Sequence, residues 1–263
     1  IDALETAAKD GSIAALKGFG SKTAANLLES IESRKRYAHT YLFSQIAPLA
    51  EQFREQLRDL DEVIQVEIAG SYRRRKEIVR DIDFIVSSNA PEPVMAFVTS
   101  HPQAESIIVQ GPTKSSVRLK LGIQADLRVV SNPQFPFALN YFTGSKEHNI
   151  LIRQRALEKG WTLNEYRLAQ DPKQPNALPP PDNIHTESDL YRALGLDFIE
   201  PELREATGEV DAAESHTLPN LVDLHNLRGT FHCHTTASDG RSSLREMVDA
   251  AIEHGLQYLG ISD

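Results

Sequence analysis

From residue 69 to residue 86 the chain reads Ala-Gly-Ser-Tyr-Arg-Arg-Arg-Lys-Glu-Ile-Val-Arg-Asp-Ile-Asp-Phe-Ile-Val. Val63 to Ala69 alternates and is rich in β-branched residues, which predicts a strand that ends in the Gly70-Ser71 turn. A second strand begins at Asp81. Side chains on a strand alternate between faces, so Asp81 and Asp83 share one face while Ile82, Phe84 and Val86 occupy the other. The apolar face packs and the acidic face stays open. Two carboxylates held side by side repel, and the arrangement becomes favourable when a divalent cation sits between them. Two surface aspartates facing basic residues would show the same spacing.

Working outward, Gln124 to Val130 predicts another strand, with Asp126, Arg128 and Val130 on one face and Leu127 and Val129 on the other. Three aspartates on adjacent strands would suit a pair of divalent ions in an in-line phosphoryl displacement. Gly70-Ser71 offers backbone N–H groups and a hydroxyl to a phosphate, and Arg74 supplies charge. Phosphate grip and carboxylates thus adjoin. Helices are predicted at 41–60, 93–100 and 145–159, the last with Ser145 as N-cap and Gly160 just beyond it. Strands are expected at 106–110 and 115–121. This mixture predicts an α+β sheet with helices on one face.

Residues 12–33 read as a helix, the turn Lys17-Gly18-Phe19-Gly20, and a second helix, a helix-hairpin-helix pattern. Glycines in such a turn let a phosphate approach the open N–H groups of the next helix, and an ordinary helical connection has the same pattern. Two basic runs stand out, Arg34-Lys35-Arg36 and Arg73 to Lys76 with Arg80; either could be a solvated face. The net charge of −9 argues against indiscriminate binding to polyanions, so local charge has to carry any such contact. One cysteine, Cys233, rules out an internal disulfide framework and fits a reducing compartment; the expected location is the cytoplasm, in association with the nucleoid. No apolar run approaches the length of a membrane span.

The run Gly70 to Arg74 followed by Asp81-Ile82-Asp83 resembles the nucleotidyltransferase signature of the family X DNA polymerases, the group of polymerase beta. Tyr141-Phe142-Thr143-Gly144-Ser145 resembles that family's nucleotide-selecting turn, and Asn149 to Tyr166 its thumb helix and strand. The resemblance implies an α+β palm with helical fingers and a small α/β thumb. It implies metal binding by Asp81, Asp83 and Asp126, with Asp126 receiving the primer 3′-hydroxyl proton. Ser71 and Arg74 would hold the triphosphate beside Gly70, and Tyr141, Phe142 and Gly144 would line the sugar pocket. Asn149 and Arg153 would meet the new base pair. Lys17, Gly18, Gly20 and Lys22 would grip the DNA backbone, with a monovalent cation at that hairpin. Gln124 stands where better-known members carry a basic residue, and Lys146 where an acidic one flanks the base pocket. Both departures bear on efficiency and selectivity.

The implied partners are dNTPs and gapped or primer-template DNA, the ions two Mg²⁺ or Mn²⁺, the context short-gap filling in base excision repair, and the state a monomer. No lyase activity is expected, since the chain begins partway into the fingers. His232, His234 and Asp239, near the C-terminus, resemble the first motif of PHP phosphoesterase domains, implying Zn²⁺ or Mn²⁺ and 3′–5′ exonuclease activity in a complete domain. The expected division is fingers 1–42, palm 43–132, thumb 133–208, linker 209–227 and the start of a PHP (β/α) barrel at 228–263. A template-independent nucleotidyltransferase and a DNA-binding scaffold with an inactive site are the alternatives. Asn149, Arg153 and the hairpin favour a duplex substrate, and the intact aspartates favour a live site.

Overall fold

The structure, a computed structural model, describes residues 1–36 and 40–263 and divides into two units, Ile1–Leu218 and Pro219–Asp263. The first opens with helices α1 (Asp2–Lys9) and α2 (Ser21–Arg36). The first helix of the hairpin therefore lies earlier than residue 12. Asp10 accepts from both the N–H and the hydroxyl of Ser12, and Gly11 turns with φ +85°, so an Asp-Gly-Ser turn closes α1 there.

The chain continues through β1 (Tyr41–Leu42), α3 (Phe43–Arg58), β2 (Val63–Ile68), the single turn α4 (Gly70–Arg73), β3 (Ile78–Val79) and β4 (Asp81–Ser88). Then come α5 (Pro91–Thr99), β5 (Ala104–Gln110), β6 (Lys114–Leu119) and β7 (Gln124–Val130). The helix expected from Tyr41 starts two residues later because Tyr41 and Leu42 pair with β3. Five strands form one sheet in the order β2-β4-β7-β6-β5, in which β4 and β7 run parallel and the other pairs antiparallel.

Ile46, Phe53 and Leu57 of α3 and Val94 and Val98 of α5 pack on Ile82, Phe84, Val86 and Leu127. Removing each such side chain from water contributes about 1.5–3 kcal/mol. The opposite face is not bare. Helix α6 (Phe135–Thr143) covers Ala69, Ile85 and Val130, which corrects the expectation of helices on one face; Tyr141 to Thr143 form its last turn, and the chain bends at Gly144-Ser145. Residues 135–140 of α6 are all buried, so no amphipathic stripe marked it in the sequence.

Beyond α6 lie α7 (Lys146–Glu158), the hairpin β8 (Trp161–Leu163) and β9 (Leu168–Gln170), and helices α8 (Glu187–Ala193) and α9 (Glu209–Glu214). Ile152, Ala156, Trp161, Leu190, Tyr191, Ile199 and Ala213 share their core. The expected linker from residue 209 is corrected: Glu209 and Ala213 are buried, and α9 belongs to the first unit.

The second unit is a βαβ arrangement of β10 (Gly229–Cys233), α10 (Leu244–Glu253) and β11 (Tyr258–Ile261), with its strands parallel. A capping box of Ser243 and Glu246 starts α10. No helix among the described residues is long and apolar enough to cross a membrane.

Candidate active site

The parallel pairing of β4 with β7 sets Asp83 opposite Asp126 and Asp81 opposite Gln124. All three aspartates therefore lie on one face at neighbouring positions. Ile85 and Ser87 continue that face but are buried, and Ile85 packs under α6, so the carboxylates emerge where the helix ends. Burial raises the carboxyl of Asp81, and the charge of Asp126 raises it further. Burial, then Asp81 and Asp126, push Asp83 up to about 7, against the opposing pull of Arg128 and Lys114. Gln124 donates from Nε2 to Oδ1 of Asp126 at 2.8 Å. Among the described residues no three His, Cys, Asp or Glu side chains converge as a ready-made metal cage. The chemistry of the donor set nonetheless fits a hard divalent cation: these are oxygen donors whose mutual repulsion such an ion removes.

Gly70 stands against this acidic face. It has φ +62°, and a Cβ there would lie 2.3 Å from Asp83 Oδ2. Only glycine meets both demands, the left-handed backbone and the close approach. The peptide N–H of Ala69 donates to the carbonyl of Asp83 at 2.7 Å, tying the turn to the strand.

Much of the basic run that follows is engaged by carboxylates. Arg73 donates to Thr143 Oγ1 at 2.8 Å and to Glu187 Oε2 at 2.6 Å. Arg74 donates to Glu205 Oε1 at 2.9 Å and to the carbonyl of Thr143 at 2.5 Å. Lys76 lies 3.3 Å from Glu205, and Arg75 lies 3.8 Å from Glu202 and over the ring of Phe43. Glu187 in turn binds Arg204, whose side chain is fully buried. Burial alone raises the carboxyl of Glu187, but Arg204 and Arg73 outweigh it and hold it below its ordinary range. These partners were missed in the sequence, where a glutamate 114 residues from Arg73 carries no local signal.

Gly70, Ser71, Arg74, Asp81, Asp83, Tyr141, Phe142, Gly144, Lys146, Asn149 and Arg153 line one cleft of about 360 Å³. Ten of these eleven are sequence-predicted site residues, and Lys146 is the departure already noted. Tyr141 and Phe142 meet edge to face, with Arg128 over the Phe142 ring. Asn149 donates from Nδ2 to the carbonyl of Tyr141 at 2.7 Å, joining α7 to α6 across the corner. Asp126 is not among the lining residues and joins the cleft only through its neighbours on the sheet.

At the hairpin, Gly18 has φ +90°, and side chains at Gly18 or Gly20 would meet nothing within 4 Å. Lys17 lies in that turn, and Lys22 in the first turn of α2. The side chains of Arg34, Lys35 and Arg36 lie outside the described residues. In the second unit the rings of His232 and His234 lie 5.0 Å apart, and His234 Nδ1 is 3.0 Å from Asp239 Oδ1. His232 has φ +60°, and the pairing with β11 shifts register around it.

Comparison with known proteins supplies the ancestry. The DNA polymerase beta palm family matches residues 44–111, and the DNA polymerase beta thumb family matches residues 138–205. The DNA polymerase/3′-5′ exonuclease PolX of Bacillus subtilis is 33% identical over the whole of this chain. The chain belongs to the family X DNA polymerases. It spans 45% of that Bacillus relative. Human DNA-directed DNA/RNA polymerase mu is 37% identical over 40% of the chain and 20% of its own length. A ternary primer/template complex of Leishmania infantum polymerase beta superposes with a TM-score of 0.52 at 25% identity, covering 72% of this chain and 94% of that one. A ternary gap complex of the same enzyme, at 23% identity and a TM-score of 0.54, supports the fold. The family X palm and thumb meet in this chain at the cleft just described. Asp126 and α9 fall outside both matched family segments, whereas the Bacillus relative aligns along the entire chain.

Proposed function

We propose that this chain fills short gaps in DNA, adding dNTPs to a primer 3′-hydroxyl as directed by a template. The observation that carries the proposal is the single cleft in which the Gly70 turn and Arg74, the acidic face of β4, and Tyr141, Asn149 and Arg153 meet. Ser71 and Arg74 hold the triphosphate, with Arg74 exchanging the carboxylate of Glu205 for phosphate oxygens. Tyr141, Phe142 and Gly144 bound the sugar, and Asn149 and Arg153 face the nascent base pair. Asp81, Asp83 and Asp126 are the ligands for two Mg²⁺ or Mn²⁺ ions, which when bound lower the repulsion among the carboxylates and stabilise the phosphoryl charge. Asp126 Oδ1 is occupied by Gln124, which leaves Oδ2 to take the proton of the 3′-hydroxyl. The 3′-oxygen attacks the α-phosphorus as the bond to pyrophosphate breaks.

Lys17, Gly18, Gly20 and Lys22 hold the DNA backbone at the hairpin, with a monovalent cation. In the second unit His232, His234 and Asp239 would contribute, within a complete domain, to a Zn²⁺ or Mn²⁺ phosphoesterase site of a 3′–5′ exonuclease. The test is primer extension on a one-nucleotide-gapped duplex with each dNTP separately, wild type against Asp126→Ala. Template-matched addition lost in the variant is the expected result. Untemplated addition favours a template-independent transferase, and DNA binding without addition favours a scaffold.

A further inference from the structure

Behind the cleft, on the far side of the α6–α7 corner, lies a buried polar chain that the reaction just described does not use. His148 has no exposed surface. Its Nδ1 lies 2.6 Å from Glu209 Oε1 and its Nε2 lies 2.8 Å from Tyr191 Oη. Tyr191 Oη donates to Asn140 Oδ1 at 3.1 Å. Glu209 is itself fixed by the peptide N–H groups of Ala206 and Thr207, at 3.0 and 2.7 Å. His148 directly precedes Asn149, and Asn140 directly precedes Tyr141. Successive helical residues point about 100° apart, so the inward members of these two pairs set the directions of the outward members, which line the cleft.

We propose that His148 is a positioning residue: anchored to Glu209 and Tyr191, it fixes the corner so that Asn149 and Tyr141 present a preformed surface to the incoming nucleotide. This inference rests on the gap-filling reading of the cleft. It extends the site to α9, which lies beyond the matched thumb segment and supplies Glu209. A buried polar chain with every member partnered orients what it touches more narrowly than apolar packing does. Its loss acts on recognition of the correct nucleotide and leaves the carboxylates and their chemistry in place.

The test uses the whole chain on gapped duplex, with kcat and KM measured for matched and mismatched dNTPs. His148→Phe keeps an aromatic ring and removes both contacts; His148→Asn keeps a donor near the Nδ1 position and so the bond to Glu209. Tyr191→Phe, which deletes one oxygen, carries the same test with the least change to the core. For His148→Phe the expected result is a KM for the matched dNTP raised at least tenfold, discrimination against mismatches reduced, and kcat within about twofold. His148→Asn restores part of the loss, and Tyr191→Phe shows two- to fivefold of the KM effect. Unchanged KM and discrimination in the folded variants overturn the proposal, as does an equal fall in kcat for every nucleotide, the mark of a role in stability alone. A wild type without templated addition brings down the gap-filling reading itself; an active wild type with indifferent variants brings down only the role of His148.

Discussion

Replacing Glu187 with glutamine removes one charge from a set of three, of which Glu187 and Arg204 are buried and Arg73 partly so. Glu187 lies between Arg73 and Arg204, at 2.6 and 2.7 Å, and the side chain of Arg204 is fully buried with its Nη2 atom already lacking a partner. The other partners of Arg204 are the carbonyl of Ile199 and the rings of Tyr191 and Phe198, with the charge of Glu200 a weaker influence than that of Glu187. Removing one member of such a pair strands the other, at a cost of about 3–5 kcal/mol. For a domain of this size each kcal/mol lowers Tm by about 2–4 °C, so the expected fall is about 6–20 °C. Thermal and urea unfolding of wild type, Glu187→Gln, Glu187→Leu, Arg204→Met and the double variant Glu187→Leu/Arg204→Met measure it. The double variant should recover at least half of the loss, because the fully buried guanidinium is gone and Arg73, partly exposed, keeps its bond to Thr143. A loss under about 1 kcal/mol in Glu187→Gln, or simple additivity of the single changes, refutes the reasoning.

Other expectations follow from the same geometry. The carboxyl of Glu187 lies below its ordinary value of 4.5; its contribution is therefore present above that pH and disappears as pH falls through the lower, folded value, which acid unfolding of wild type against Glu187→Gln will show. Asp83 is displaced the other way, from 3.8 to about 7. Without divalent ions the protein should lose stability as pH rises across that window, and Mg²⁺ at pH 8 should raise Tm in wild type and not in Asp83→Asn. Gly70→Ala forces a side chain into a left-handed backbone, costing about 1–2 kcal/mol, and pushes Asp83 aside; urea unfolding should show the first effect, and primer extension should be lost. Ala213→Arg, a charge driven into the core beside α8, should unfold the helices after α6 by proteolysis while α3 and the sheet stay protected.

Much of the sheet was legible because alternation is a local signal: Gln124–Val130 has the expected limits. The pairing of Asp83 with Asp126 was not legible to the residue, since parallel register depends on contacts far apart in sequence. Helix α6 was hidden because burial on all sides leaves no stripe. Helix α9 was hidden because it is short, and its buried glutamate reads as a surface residue until His148 is found beside it. Of the residues of the cleft, Gly70, Ser71, Arg74, Asp81 and Asp83 were read from residue types at fixed spacing, and Tyr141, Phe142, Gly144, Asn149 and Arg153 were implied by the family resemblance. The carboxylates that organise the basic run come from segments after residue 186, and only the folded chain brings them there.

The engagement of Arg73 to Lys76 by Glu187, Glu202 and Glu205 bears on how salt acts on this molecule. DNA sheds condensed counterions where protein cations neutralise its phosphates, each contact contributing about −0.9 to the slope of log affinity against log salt, and cations already matched by the protein's own carboxylates add little to that neutralisation. When Arg74 takes a phosphate it trades one anion for another, so nucleotide capture should vary little with ionic strength, and the salt sensitivity of DNA binding should arise from lysines and arginines outside this run.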